Sequence, residues 1–165
     1  MNNATMINCK PATKNDVPLI QELAKAIWRA HYADIISITQ IDYMLDLMYS
    51  EQSLIRQMQE GQPFTLIYSH HEPIGYYSIS EKEPGQFFLH KFYIQTAAQR
   101  KGNGTAAFKY LLSGLSEGSL RLQVNRRNFK AINFYFKHGF TIEYAFDFDI
   151  GGGYSMDDFM MIKKV

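Results

Sequence analysis

The sequence predicts an α+β fold, with one domain over residues 1–165. Three observations predict it. After one short strand, helical patterns come as a block. Three strands then follow one another with only short turns between them. After that strands and helices alternate, with a glycine-rich turn at the first strand-to-helix junction. A doubly wound parallel sheet would open on strand–helix–strand units, and a meander of three strands does not fit one.

The elements read in order as follows. A short strand is expected over Met6–Lys10. Thr13 suits a helix cap, with Asp16 three residues on as the acidic half of a capping box. Ile20, Leu23, Ala24, Ile27 and Trp28 recur at helical spacing. A second helical pattern runs through Ile41, Met44, Leu45 and Met48, and a third begins at Ser53 and ends before Gly61. Phe64–Ser69 and Ile74–Ser80 read as a hairpin turning at His70-His71-Glu72-Pro73. Glu81–Gly85 reads as a second turn, and Gln86–Ile94 as a longer strand rich in aromatic residues. Past the glycine-rich loop, Thr105–Leu115 reads as a helix with Ala106, Ala107, Tyr110 and Leu111 on one side. Leu120–Asn125 alternates as a half-buried strand. Phe129–His138 is the next helix, and Gly139 suits its C-terminal cap. Phe140–Asp149 alternates again, Ile150–Gly153 is a flexible connection, and Phe159–Lys164 is the last strand.

Composition narrows the function classes. Hydrophobic residues make up 46% of the chain and charged residues 20%, as in an ordinary globular domain. Twelve Phe and eleven Tyr suit a fold with many strands. A net charge of +1 argues against bulk attraction to nucleic acid or an anionic membrane. Cys9 is the only cysteine. It excludes an internal disulfide, no Cys/His cluster has zinc spacing, and a buried inert thiol is expected. No metal is expected. The first residues show no basic region followed by an apolar run, and no apolar stretch reaches transmembrane length, so the expected compartment is the cytoplasm.

The glycine-rich turn carries the chemistry. Gln99-Arg100-Lys101-Gly102-Asn103-Gly104 separates a strand from a helix. Unpaired N–H groups at a helix start, helped by the helix dipole, bind anions. Glycines admit phosphate oxygens close to the backbone, Arg100 and Lys101 add positive charge, and Thr105 offers a hydroxyl. A nucleotide-hydrolase phosphate loop is absent, because its Gly-x-x-x-x-Gly-Lys-Ser/Thr spacing is missing. A dinucleotide turn matches Gly102-Asn103-Gly104-Thr105-Ala106-Ala107 on paper. It needs an acid about 20 residues on, where Asn125 stands instead.

A third reading rests on two motifs. Gln99-x-x-Gly102-x-Gly104, after a strand ending Phe92-Tyr93-Ile94, resembles the signature of the GCN5-related N-acetyltransferase (GNAT) superfamily. Downstream, Asn128, Ala131, Phe134, Tyr135, Gly139 and Phe140 match that family's Asn-x-x-Ala-x-x-Phe/Leu-Tyr-x-x-x-Gly-Phe pattern. Spacing near the N-terminus also resembles bacterial diamine and polyamine acetyltransferases.

The resemblance implies a mixed, mostly antiparallel sheet with two splayed parallel strands, Gln86–Ile94 and Leu120–Asn125, and flanking helices. It implies acetyl-CoA as cosubstrate. The backbone of Phe92, Tyr93 and Ile94 would pair with the pantetheine amides like an added strand. Gln99, Arg100, Lys101, Gly102, Asn103, Gly104 and Thr105 would hold the pyrophosphate, and Asn128 the pantetheine or acetyl end. Tyr135 would give a proton to the leaving thiolate, against the plainer reading of a core aromatic. The glutamate that some members carry on the first splayed strand is missing, since Phe88 stands there. His90, on the same face as Phe92, is either the base or a packed histidine. His31, His70 and His71 look solvent-facing. Trp28, His31, Tyr32, Tyr43 and Met44 are candidates for the acceptor site or for the core. Asp147, Asp149, Asp157 and Asp158 either attract a cationic amine or form a solvated acidic loop. The implied reaction is direct N-acetylation of a small amine, polyamine or peptide, because no nucleophile is placed for an acetyl-enzyme. The alternatives are an acyl-CoA sensor without turnover and a nicotinamide-dependent oxidoreductase. Expected partners are the amine acceptor and a possible second copy in a homodimer.

Overall fold

A computed structural model describes residues 6–99 and 102–165. The elements are β1 (Ile7–Pro11), a 3-10 turn at Lys14–Asp16, α1 (Val17–His31), α2 (Ile38–Tyr49), α3 (Glu51–Gln59), β2 (Phe64–Ser69), β3 (Glu72–Glu83), β4 (Gln86–Ile94), α4 (Thr96–Gln99), α5 (Asn103–Ser113), β5 (Ser119–Asn125), α6 (Phe129–Lys137), β6 (Thr141–Gly151) and β7 (Tyr154–Lys164). The strands order as β1-β2-β3-β4-β5-β7-β6. β4 and β5 are parallel, and the β1/β2, β2/β3, β5/β7 and β6/β7 pairs are antiparallel. The expected mixed α+β fold is present. No described helix is long and apolar enough to cross a membrane.

The chain divides into two compact units. The first takes the chain up to Ile79 together with Lys91–Leu115. Thr13 caps its first turn as expected: its hydroxyl accepts from the Asn15 N–H, and the Asp16 carboxylate accepts from the Thr13 N–H at 2.7 Å. α1 buries Ile20, Leu23, Ala24, Ile27 and Trp28, the stripe its sequence spacing marks. Trp28, Tyr76, Phe64 and Phe108 are fully buried. Each aromatic side chain removed from water contributes on the order of 1.5–3 kcal/mol. The polar tips of these rings are satisfied within the core: Trp28 Nε1–H donates to Tyr49 Oη at 3.3 Å, and the Tyr76 hydroxyl donates to it at 2.8 Å.

The second unit takes Ser80–His90 together with Ser116–Val165. Its parallel ladder pairs Gln86 with Ser119 through Leu89 with Leu122. β7 lies between β5 and β6, and Leu120, Leu122 and Met161 are fully buried. Arg121 and Glu143 form a two-pronged ion pair at 2.8 and 2.9 Å.

Several boundaries differ from expectation, each for a local reason. α3 begins at Glu51, because the Ser50 hydroxyl caps it by accepting from the Ser53 N–H. β3 starts at Glu72 and runs to Glu83, leaving Pro84-Gly85 as the turn; its polar end is solvated on both faces and so shows no alternation. α5 begins at Asn103, two residues early, and Tyr110 is exposed, while Asn103, Ala107, Phe108 and Leu111 form its buried side. β6 and β7 run through to a tight turn at Gly152-Gly153, so the flexible connection is absent. Cys9 is half-buried, and desolvation pushes its thiol up to about 11, which keeps it protonated.

Candidate active site

In the first unit the site residues gather at the end of β4. Burial alternates through Lys91, then Phe92 and Tyr93 are both half-buried and Ile94 is buried. The two side chains go to different neighbours. Phe92 packs edge-on against Phe108 of α5, with centroids 5.1 Å apart. The Tyr93 ring lies 5.9 Å from Trp28 and 5.7 Å from Tyr76, and its hydroxyl shares a hydrogen bond with Tyr32 at 3.3 Å. Gly75 of β3 backs this segment. A Cβ there would stand 2.1 Å from the Tyr93 carbonyl oxygen, so only glycine admits this approach.

Gln99 lies at the end of α4 rather than in a loop. Its Nε2 donates to the Ile94 carbonyl at 2.7 Å and lies 2.7 Å from His31 Nε2. The carbonyl can only accept, which fixes the amide orientation. The second N–H then points to His31, whose Nε2 accepts and whose proton sits on Nδ1. His31 is thus part-buried and tied to the signature glutamine, not solvent-facing as expected. His70 and His71 are exposed, as expected.

Arg100 and Lys101 lie outside the described residues. Gly102 is the N-cap of α5 at φ 75°, the left-handed region that glycine enters without cost. Asn103 is 3% exposed and turns inward, donating from Nδ2 to the Ala98 carbonyl at 2.9 Å. The Asn103 side chain is withdrawn and Gly104 has none, and a helix start leaves its first N–H groups without intrahelical acceptors, the arrangement that suits an anion. This helix head fits a phosphate group. An open cavity of about 280 Å³ beside it is lined by Glu72, His70 and Asn103. The Glu72 carboxylate makes that cavity a poor phosphate site.

The second unit holds the remaining residues. His90 Nε2 and Ser80 Oγ share a hydrogen bond at 2.8 Å, and the imidazole packs 4.9 Å from the Phe88 ring. Asn128 is the N-cap of α6: its Oδ1 accepts from the Ala131 N–H at 3.2 Å, so the cap uses the oxygen end of the amide. Tyr135 is 8% exposed and sits 5.5 Å from Phe134 and 5.4 Å from Phe140. The core reading of its ring is therefore correct, and it does not conflict with a role for the hydroxyl. The parallel ladder ends at Leu89 and Leu122, while β4 runs on to Ile94 and β5 to Asn125.

The four aspartates near the last turn separate into different roles. Arg126 pairs with Asp147 and lies 3.7 Å from Asp157. Asp149 accepts from the Gly151 N–H at 2.7 Å. Asp158 is 5% exposed, and its Oδ1 has no hydrogen-bond partner. Burial, and then the charge of Asp157, push its carboxyl up to about 6 against a smaller pull from Arg126. Its distinct position follows from strand alternation through Met156, Asp158 and Met160. That signal is hidden when the strand is begun at Phe159. Among the described residues no group of three His, Cys, Asp or Glu side chains is placed to hold a metal ion.

The acetyltransferase (GNAT) family profile matches residues 20–140. No curated protein matches the sequence. Among solved structures, the chain is similar to the PaiA N-acetyltransferase of Thermoplasma acidophilum in complex with coenzyme A, at 24% identity and TM-score 0.76, covering 97% of this chain and 99% of that one. A GCN5-related N-acetyltransferase of Rhodopseudomonas palustris gives 16% identity and TM-score 0.76 over 100% of both chains. Arabidopsis thaliana Naa50, in complex with the bisubstrate analogue CoA-Ac-MVNAL, gives 15% identity and TM-score 0.67, covering 96% of this chain and 99% of that one. The profile match across most of the chain shows that this protein belongs to the GNAT acetyltransferase family, whose acetyl donor is acetyl-CoA.

Proposed function

We propose that the protein transfers the acetyl group of acetyl-CoA directly to a primary amine, carried by a small molecule or a peptide. The observation that supports this reading is the head of α5, which follows β4 and α4 and starts on Gly102 in the left-handed region, where a pyrophosphate would meet the N–H groups of Asn103, Gly104 and Thr105. Structures similar to this one are bound to coenzyme A in one case and to a CoA–peptide analogue in another, which supports the donor and leaves both acceptor classes in play.

In this proposal the backbone of Phe92, Tyr93 and Ile94 orients the pantetheine arm, and Gly75 and Gln99 hold that segment in place. The helix head binds the pyrophosphate, together with Arg100 and Lys101. Asn128 Nδ2 donates to the pantetheine or acetyl end. Acetyl-CoA supplies an activated thioester carbonyl. His90, partnered by the Ser80 hydroxyl, takes the proton from the amine as the C–N bond forms. The Tyr135 phenol gives its proton to the sulfur as the C–S bond breaks. Cys9, held protonated, offers no route through an acetyl-enzyme.

The test is thiol release from acetyl-CoA in the presence of a panel of alkylamines, diamines and peptides. Release that requires the amine and falls sharply in Tyr135→Phe supports the reading. Tight CoA binding without release from any amine makes the protein a sensor instead.

A further inference from the structure

We propose that Asp158 is an acceptor-recognition residue that binds the non-reacting ammonium group of an aliphatic diamine or polyamine. The proposal rests on the acetyltransferase reading and names its substrate class. It starts from an anomaly. Buried polar atoms almost always find partners, and Asp158 Oδ1 has none. A buried carboxylate oxygen without a partner is costly, and the charge of Arg126 acts on this carboxyl less than burial and the charge of Asp157 do. Arg126, the nearby candidate, is engaged with Asp147 and Asp157. These two are register partners, one residue along each strand from Phe146 and Asp158, and so lie on the opposite face of the hairpin.

The surroundings of Asp158 specify what kind of cation fits. Its register partners are Asn125 on β5 and Phe146 on β6. Met156 and Met160 stand two residues either side of it on β7, both buried. Opposite them are Phe148 and Tyr144, the latter 50% exposed, and the rings run as a row with Tyr144–Phe146 and Phe146–Phe148 centroids 5.7 and 5.5 Å apart. A single carboxylate therefore stands in register with the Asn125 amide, with thioethers and aromatic rings at the neighbouring positions of that face. A hydrated metal ion gains nothing from such walls. An alkylammonium gains an ion pair at its head, cation–π contact with the rings and burial of its methylenes. With its carboxyl at about 6, Asp158 is ionised at pH 7.5 and ready for that partner.

The experiment compares 1,6-diaminohexane with hexylamine as acceptors, in the wild type, Asp158→Asn and Asp157→Asn. A charge-assisted hydrogen bond lost from one substrate corresponds to about a 10- to 100-fold change. The wild type and Asp157→Asn are expected to favour the diamine in KM by that factor. Asp158→Asn is expected to lose the preference while its KM for acetyl-CoA is unchanged. A preference that survives in Asp158→Asn, or that is absent in the wild type, overturns the proposal. If the wild type acetylates no amine, the acetyltransferase reading fails, and calorimetric titration of 1,6-diaminohexane into the CoA-loaded proteins decides the role of Asp158. Binding that is lost in Asp158→Asn sustains it; equal binding, or none in the wild type, overturns it. Circular dichroism checks that Asp158→Asn, which only neutralises a buried charge, is folded.

Discussion

Lys91 is a lysine in an aromatic core, and its cost can be measured. It is 8% exposed, with Nζ 5.3 Å from the Phe64 centroid and 5.8 Å from that of Tyr49, and it donates to Gln57 Oε1 at 2.6 Å. Burial pulls it from 10.5 down to about 8. At about 1.4 kcal/mol per unit, keeping it charged in the folded state costs about 3 kcal/mol at neutral pH. The sign follows from proton counts. Between the folded and unfolded values the unfolded chain holds more protons, so stability contributed at this site rises as pH increases from about 8 toward 10.5. In Lys91→Met that dependence vanishes, while all other titrations remain and cancel in the difference. Tyr49 and Tyr76, both raised well above 10 by burial, stay neutral across the range. Urea unfolding of both proteins at pH 7 and pH 10 measures it. The stability of the variant relative to the wild type is expected to fall by about 2.5 kcal/mol over that interval. At pH 7 the variant also loses the Gln57 bond, so its absolute stability matters less than this difference. Parallel profiles for the two proteins would show that Lys91 is solvated and refute the reasoning.

Three further outcomes are expected. Tyr135→Phe should lower kcat about 100-fold or more, the contribution of a general acid, with CoA affinity and melting temperature nearly unchanged; steady-state kinetics with differential scanning fluorimetry checks both. Gly75→Ala should destabilise by about 3 kcal/mol, the upper end for overpacking, because its Cβ would meet a backbone oxygen 2.1 Å away that no rotamer change can move; chemical denaturation showing wild-type stability would refute the close approach. Asn128→Ala should cost about 1 kcal/mol through loss of the α6 cap, read as a lower denaturation midpoint, and Asn128→Asp, which retains the acceptor, should restore most of it.

The parts of the fold visible in the sequence are those whose burial is periodic. α1 buries the five residues that its spacing marks, with Val17 as a sixth, and β5 alternates as its residues do. The parts that were hidden depend on partners instead of pattern. The far half of β3 is solvated and polar, so nothing in Ser80–Glu83 distinguishes a strand from a turn. The start of β7 failed for a related reason. Tyr154–Asp158 carries acids on both faces, and only the pairing with β6 shows that Asp157 faces solvent while Asp158 is buried. Two adjacent aspartates of identical chemistry therefore have opposite environments, a distinction that composition cannot make.

The glycine-rich signature was legible as a unit, yet the fold splits it between two jobs. Gly102 and Gly104 open the head of α5. Gln99 does something else: its two N–H groups are spent on the Ile94 carbonyl and on His31, so its side chain holds the end of β4 to α1. Two N–H donors and a neutral charge are what that position requires. A glutamate there would set an acceptor against the Ile94 carbonyl, and a leucine would leave both partners unpaired. The glutamine of the signature thus acts through the strand that it positions, while the glycines act through the backbone that they expose. Periodicity cannot reveal this, because the partners of Gln99 lie five residues back and sixty-eight residues back in the chain. The same holds for the other polar residues of the motifs. Asn103 and Asn128 spend one end of each amide on local structure, Asn103 on the Ala98 carbonyl and Asn128 on the Ala131 N–H, so what a motif residue offers a ligand is what remains after the fold has used its share.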